Sequence, residues 1–177
     1  MKNNEQKNLI EWLDYFKNVS LFRDLQEEQI IPMIHKMQLK TFDKGEIIIH
    51  EGESDSALYI LLDGEVEISK SLVLPEWIQA AKKQEKSLLH LSEKHHPFFG
   101  EMAMFDDEPE RSATIKALRL CSMSKITKKD LLNILENNPI TGMYVYRNIA
   151  SELVKRLKKS NHDILKLTTA FSLALEG

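Results

Sequence analysis

Between Ala57 and Ser69 the chain reads ALYILLDGEVEIS, and this stretch restricts the fold more than any other. Asp63-Gly64 is the kind of residue pair that supplies the positive φ angles of a tight two-residue turn, so a strand is expected on each side of it. Beyond the turn, Val66 and Ile68 alternate with Glu65, Glu67 and Ser69, which gives one apolar face and one solvated face. The stretch reads as a hairpin. A second hairpin signal precedes it: LKTF (39–42), a DKG turn at Asp43 to Gly45, then EIIIH (46–50), whose β-branched residues suit a pleated strand. Further strands are expected at SLLHLS (87–92), SATIKAL (112–118) and RLCSMSKI (119–126). About seven short strands joined by tight turns fit a small barrel or sandwich.

Helices are expected at both ends. NLIEWLDYF (8–16) places Leu9, Trp12, Leu13 and Phe16 on one face at helical spacing. EEQIIPMIHKM (27–37) is also helical, but Pro32 lacks a backbone donor and should kink or restart it. Thr127 to Asp130 resembles a capping box ahead of LLNILE, and Asn138-Pro139 offers a cap and a first-turn proline for a last helix running nearly to the end. At 177 residues, 42% hydrophobic and 29% charged, the chain suits one soluble domain. The formal charge of −3 gives no general attraction to nucleic acid or anionic membrane, and no apolar run approaches the ~18 residues of a spanning helix. MKNNEQKNLIEW has no apolar signal-peptide core and Cys121 has no disulfide partner, which points to a reducing, cytoplasmic setting.

The last helix carries the longest periodic signal. Met143, Tyr146, Ala150, Leu153, Leu157, Ser160, Ile164, Leu167, Phe171 and Ala174 alternate spacings of three and four, a heptad seam weakened at Ala150, Ser160 and Ala174. A small barrel cannot cover ~50 Å of helix at 1.5 Å per residue. The earlier turns of the seam are therefore expected on the chain's own barrel, and the distal half against a second copy in a symmetric dimer.

Chemistry concentrates in FFGEMAMFDDEPERSATI (98–115), where carboxylates surround a single base, Arg111. A short helical turn, GEMAMF, followed by a polar loop would gather N–H groups at one spot, with Gly100 allowing close backbone approach and Met102 and Ala103 favouring an anion. Arg111 adds the full charge, and a guanidinium grips two phosphate oxygens more directionally than an ammonium. One arginine matches the single charge of a phosphodiester; a nucleoside triphosphate would call for a P-loop lysine and a metal. Glu101 would repel the phosphate and can instead accept a hydrogen bond from a ribose 2′-hydroxyl. The competing reading of Arg111 is a surface ion pair with Glu110 or Asp107.

With these residues in hand, the chain resembles the cyclic nucleotide-binding domain family, in the bacterial spacing of its catabolite activator protein-like members. FGEMAMFDDEPERSAT (99–114) resembles the family's phosphate-binding cassette, and the likeness runs from about Leu21 to Leu167, taking in the DKG turn, EGE at 51–53, LLDGEVEI and the NP-initiated last helix. The resemblance implies an α+β fold: a β-roll, a jelly-roll-like double-stranded β-helix, flanked by N-terminal helices and a long C-terminal helix. It also implies one domain over 1–177, with N-terminal helices in 1–38, the roll in 39–126 and C-terminal helices in 127–177. By the same resemblance Glu101 would take the ribose 2′-hydroxyl, Arg111 the cyclic phosphate, and Ser112 the phosphate through its hydroxyl and N–H. Gly100, Met102 and Ala103 would line the sugar-phosphate pocket with backbone, Val66 and Ile68 would wall the purine, and Arg156 would sit near the base. The ligand implied is cyclic AMP, with cyclic GMP possible, and no further cofactor is required.

Departures from the family matter as much. The long helix is followed by Gly177 and no helix-turn-helix, so DNA binding is not expected, and KRLKK (155–159) reads as a solvated helix face. The insertion 71–86, SLVLPEWIQAAKKQEK, holds Pro75, which can open a helix, and Trp77 and Ile78, which give that helix an apolar side expected to pack on the barrel, the alternative being that it is offered to a partner. His90, His95 and His96 fall near the cassette, yet their spacing completes no ligand set and only Cys121 could serve as thiolate, so neither metal nor haem is expected. No nucleophile triad or Walker lysine suggests an enzyme. The expected function is a cyclic nucleotide sensor that signals to an unidentified protein effector by moving its last helix; the alternative is a ligand-free dimerisation scaffold that retains the fold.

Overall fold

The computed structural model describes residues 9–72, 85–105 and 110–176. Among these residues eight strands form two antiparallel four-stranded sheets, one ordered β1-β8-β3-β6 and the other β2-β7-β4-β5. In chain order these are β1 (Gln38–Phe42), β2 (Ile47–Ile49), β3 (Ala57–Asp63), β4 (Glu65–Ser71), β5 (Glu85–Ser92), β6 (Phe98–Phe99), β7 (Thr114–Ala117) and β8 (Cys121–Thr127). The helices are α1 (Leu13–Asn18), continuing a 3-10 turn Leu9–Trp12, then α2 (Glu27–Lys36), α3 (Lys128–Asn137) and α4 (Pro139–Glu176). This is the α+β roll with N-terminal helices and a long C-terminal helix.

Neither tight turn closes a hairpin. β1 pairs with β8 while β2 pairs with β7, so the DKG turn carries the chain from one sheet to the other. The same holds at Asp63-Gly64, since β3 pairs with β6 and β8 and β4 with β5 and β7. The residues do form turns, as read from the sequence, but a strand that leaves a turn pairs with a distant segment when that buries more apolar surface. Gly64 is fixed there twice over: its φ is +121°, and a Cβ would stand 2.5 Å from Cys121 Sγ. The true β-hairpin joins β4 to β5, with Ser71 paired to Glu85 across the inserted segment. Those two residues thus belong to the strands, and Pro75, Trp77 and Ile78 lie outside the described residues.

β3 explains its own sequence. Its first six residues, ALYILL, are all buried, because the strand is covered on both faces. Leu58, Ile60 and Leu62 join Phe16, Phe22, Met33, Leu131 and Val145 in a core beneath the helices. Ala57, Tyr59 and Leu61 face Val66, Ile115 and Ala117 between the sheets. In β4 the expected alternation holds through Ile68, and Ser69 is buried as well, its hydroxyl donating to Glu85 at 2.7 Å, while the register against β5 shifts there with Leu88 as the extra residue.

Pro32 does not restart α2, which runs unbroken through it with the proline exposed. Thr127 caps α3 as read from the sequence, accepting from the Asp130 N–H at 3.1 Å. Asn138, by contrast, turns back to α3, its amide donating to the Ile134 carbonyl at 3.0 Å. α4 is held at its start: the buried Asn148 amide donates to the Leu21 and Arg23 carbonyls at 3.0 and 2.8 Å, and Val145 and Ile149 enter the core. The stripe on the domain is thus Thr141, Val145, Asn148 and Ile149, joined from the heptad seam by partly buried Leu153. Already at Met143 and Tyr146 the seam is exposed, and Leu157, Ile164, Leu167 and Phe171 are between 58% and 65% exposed.

Candidate ligand-binding site

The chain leaves the short strand β6 at Gly100, whose φ of +88° opens a tight bend. A Cβ there would stand 2.5 Å from the Ala57 carbonyl oxygen and 2.7 Å from Arg111 Nη1, so the bare glycine is what lets the guanidinium lie against the backbone. Glu101 follows, then a 3-10 turn Met102–Met104. Gly100, Glu101, Met102, Ala103, Arg111, Ser112 and Arg156 line one concave space that opens to solvent on one side.

Two charged side chains in this pocket are nearly inaccessible. Arg111 is 4% exposed, and its carboxylate partner is Asp55 from the β2–β3 loop, with Nη2 to Oδ2 at 3.2 Å. Nη2 also donates to the Ala57 carbonyl at 2.9 Å and Nη1 to the Gly100 carbonyl at 3.3 Å. This is not the surface ion pair that a neighbour such as exposed Glu110 would give, and Asp107 lies outside the described residues. Glu101 is 1% exposed, and Arg156 of α4 reaches it with Nη1 at 2.5 Å from Oε1. Arg156 Nη2 donates to the Phe98 carbonyl at 2.9 Å, so the arginine bridges α4 to both sides of Phe99. Burial pushes the Glu101 carboxyl above its ordinary range, with Arg156 pulling against that shift.

After these contacts, two buried polar atoms in the pocket remain without a partner: Glu101 Oε2, an acceptor, and Arg111 Nε, a donor. Buried polar groups are ordinarily paired, and an unpaired one costs about 1–3 kcal/mol. Ser112 lies at the mouth, its Oγ 3.6 Å from Met102 Sδ. A ring contact makes a second link to α4, with Phe105 set edge-on to Tyr146 at 5.7 Å.

A family profile described as "Cyclic nucleotide-binding domain" matches residues 39–138, more than half of the chain. The chain belongs to the cyclic nucleotide-binding domain family. It is 32% identical over 107 residues to cGMP-dependent protein kinase 2 of Mus musculus, covering 60% of this chain and 13% of the kinase. To the cAMP-activated global transcriptional regulator CRP of Pasteurella multocida it is 31% identical over 134 residues, covering 76% of this chain and 55% of the regulator. This domain therefore spans a minor part of the kinase and about half of the regulator. Among solved structures, the Thermus thermophilus Catabolite Activator Protein superposes with a TM-score of 0.69 at 26% identity, covering 84% of this chain and 63% of that one.

Within this cyclic nucleotide-binding domain, the residues singled out in the sequence nearly all meet at the pocket; Val66 does not. It is fully buried between the sheets, and the apolar lining is Ile49, Ile68, Phe99 and Ile115. Nothing in the runs EIIIH and TIKA singles out Ile49 and Ile115; the pairing of β2 and of β4 with β7 sets Ile115 opposite both Ile49 and Ile68. No motif in the sequence marks Asp55 or Lys125 as part of the site. Lys125 Nζ lies 3.3 Å from the same Asp55 oxygen that Arg111 holds. The histidines stand apart: His90 faces Glu67 across β4–β5 at 3.4 Å, and the His96 ring lies tilted against that of Tyr15 at 4.6 Å. Among the described residues no three His, Cys, Asp or Glu side chains converge as a metal site, and no helix is long and apolar enough to cross a membrane.

Proposed function

We propose that this domain is a non-catalytic sensor that binds cyclic AMP, with cyclic GMP as a weaker ligand, and reports occupancy through α4. The observation that carries the reading is the pair of unpartnered buried atoms, one acceptor on Glu101 and one donor on Arg111, in a single pocket. A cyclic nucleotide offers both complements, a ribose hydroxyl to donate and a singly charged phosphodiester to accept. Glu101 takes the 2′-hydroxyl and Arg111 the phosphate, with the Ser112 hydroxyl and N–H beside it. Gly100, Met102 and Ala103 supply the backbone floor, Ile68 with Ile49 and Ile115 walls the purine with Val66 packed behind, and Arg156 borders the base. No metal or other cofactor is required. Relatives named for cAMP activation and for cGMP dependence support the ligand class.

α4 serves as the output because it already touches the cassette at two points, Arg156 on Glu101 and Tyr146 on Phe105. A ligand hydroxyl donating to Glu101 Oε2 draws on the same carboxylate whose Oε1 Arg156 holds, and ligand contacts on the cassette shift the ring of Phe105. Either change biases the position of α4. The exposed seam beyond Arg156 pairs with a second copy, giving a homodimer in the cytoplasm that signals to a protein effector rather than to DNA or a membrane.

Calorimetric titration with cyclic AMP and cyclic GMP tests the reading. A dissociation constant at or below the micromolar range, ~−8 kcal/mol, is expected for cyclic AMP. No heat from either nucleotide refutes the sensor and leaves a ligand-free dimerisation scaffold. For the output, saturating cyclic AMP is expected to change hydrogen exchange within 139–170; identical exchange with and without ligand refutes it.

A further inference from the structure

Charge bookkeeping in the pocket raises a difficulty. Glu101 and Glu152 are matched by Arg156 and Lys155, with Arg156 Nε 3.7 Å and Lys155 Nζ 3.4 Å from the two Glu152 oxygens. That cluster is neutral. Arg111 is paired with Asp55 at 3.2 Å, and taken alone this pair is neutral too. A pocket with no net charge has little to offer a monoanion, and the Asp55 carboxylate would repel a phosphate brought to Arg111.

Lys125 removes the difficulty. It comes from β8, faces Tyr59 on β3 across the ladder, and sits with Nζ 3.3 Å from Asp55 Oδ2 and 5.4 Å from the centre of the Tyr59 ring. The same ring lies 6.0 Å from the Arg111 guanidinium carbon. Two cations thus share one carboxylate oxygen and one aromatic ring, and the three charged groups together carry one positive charge. Burial works against the ammonium, but the Tyr59 and Asp55 groups outweigh it and hold its pKa above the ordinary range, so it stays charged wherever the protein is folded near neutral pH.

We infer that Lys125 is a positioning residue for anion binding, which neutralises Asp55 so that Asp55 can hold Arg111 in place without cancelling its charge. The inference rests on the reading of Arg111 as the phosphate ligand. Asp55 alone would fix the guanidinium but silence it; Lys125 alone would add charge but no geometry. With both, Arg111 keeps its orientation through Asp55, Ala57 and Gly100 and faces the ligand as a full cation.

The test is cyclic AMP binding by calorimetry to the whole chain and its variants, each first checked for folding by thermal unfolding. Lys125→Gln is expected to weaken binding about 3- to 10-fold, with the gap narrowing at high salt, because a screened unit charge has been removed. Lys125→Arg is expected to restore affinity to within about twofold of wild type, since it returns the charge. In an Asp55→Asn background the further change Lys125→Gln should cost less than about twofold, because the carboxylate it answered is gone. Should Lys125→Gln fail to fold, Lys125→Met takes its place in the same comparison. Unchanged affinity in Lys125→Gln, no recovery in Lys125→Arg, or an undiminished loss in the Asp55→Asn background each overturns the inference while wild-type binding leaves the pocket reading intact. Wild-type protein that binds no cyclic AMP overturns both.

Discussion

Replacing Arg111 by methionine keeps most of the side-chain volume and removes the charge and every donor. In the free protein the change strands the Ala57 and Gly100 carbonyls, which accept from Arg111 at 2.9 and 3.3 Å. Asp55 is better placed, because Lys125 still holds it at 3.3 Å. The stability cost is therefore set by two lost acceptor contacts and should fall at about 1–3 kcal/mol, partly offset by the unpaired Nε that disappears with the arginine. For a chain of this size that is a drop of about 2–4 °C in melting temperature per kcal/mol, which leaves the protein folded at room temperature. Binding suffers more. A charged hydrogen-bond donor to phosphate contributes about 2–3 kcal/mol, so cyclic AMP affinity should fall ~30- to 150-fold. Arg111→Lys restores the charge without the planar fork and should recover only part of the loss. Calorimetry on both variants, with melting curves beside it, separates the two effects. A folded Arg111→Met protein that binds cyclic AMP within threefold of wild type would refute the assignment of the phosphate to this residue.

Gly100→Ala should weaken cyclic AMP binding at least tenfold and cost about 1–3 kcal/mol in chemical denaturation, since the added Cβ meets the Ala57 carbonyl and Arg111 Nη1 from a positive φ; wild-type affinity would show that the guanidinium has room to move. Because the folded Glu101 carboxyl titrates above its ordinary value of 4.5, this group stabilises the fold most below that pH and loses the contribution as pH rises through its raised value. Wild type should accordingly gain stability over Glu101→Gln as pH is lowered from neutrality towards 4.5, and a gap moving the other way in urea titrations contradicts the assignment. The same titration should weaken cyclic AMP binding on acidification, through loss of the charged acceptor, and Glu101→Gln should flatten that dependence. On α4, Leu167→Glu places a charge in the exposed seam and should convert a dimer to a monomer in light scattering with the melting temperature of the rest unchanged; a dimer that persists places the interface elsewhere.

What the sequence discloses and what it hides divide along the range of the interactions. Local grammar is legible: the turns at Asp43 to Gly45 and Asp63-Gly64, the Thr127 cap, the bend at Gly100 and the Glu101 and Arg111 pair are all readable from neighbours in the chain. Strand pairing is not, because a tight turn looks the same whether its strands face each other or part into two sheets. ALYILL held a clue that outweighs the turn, since an unbroken buried run belongs to a strand covered on both faces, whereas a hairpin with one wet face would alternate. Val66 and Ile68 lie on one face of β4, yet Val66 is buried between the sheets while Ile68, opposite Ile115 of β7, lines the pocket. Pro32 offers a local signal that tertiary packing overrides, with Ile30, Met33 and Ile34 buried on both sides of it. Asp55 and Lys125 meet Arg111 only through the pairing of β8 with β3, and no spacing in the sequence foretells that.

The central claim is that Glu101 and Arg111 are completed by the two halves of one ligand, and comparing cyclic AMP with 2′-deoxy cyclic AMP in a calorimetric titration tests it most directly. The deoxy analogue keeps the phosphate and removes the hydroxyl that Glu101 Oε2 would accept. Cyclic AMP should bind at micromolar concentration or tighter and the analogue about 10- to 100-fold more weakly, the worth of one hydrogen bond to a buried charged group. Equal affinity for the two, or no binding by cyclic AMP, would contradict the account.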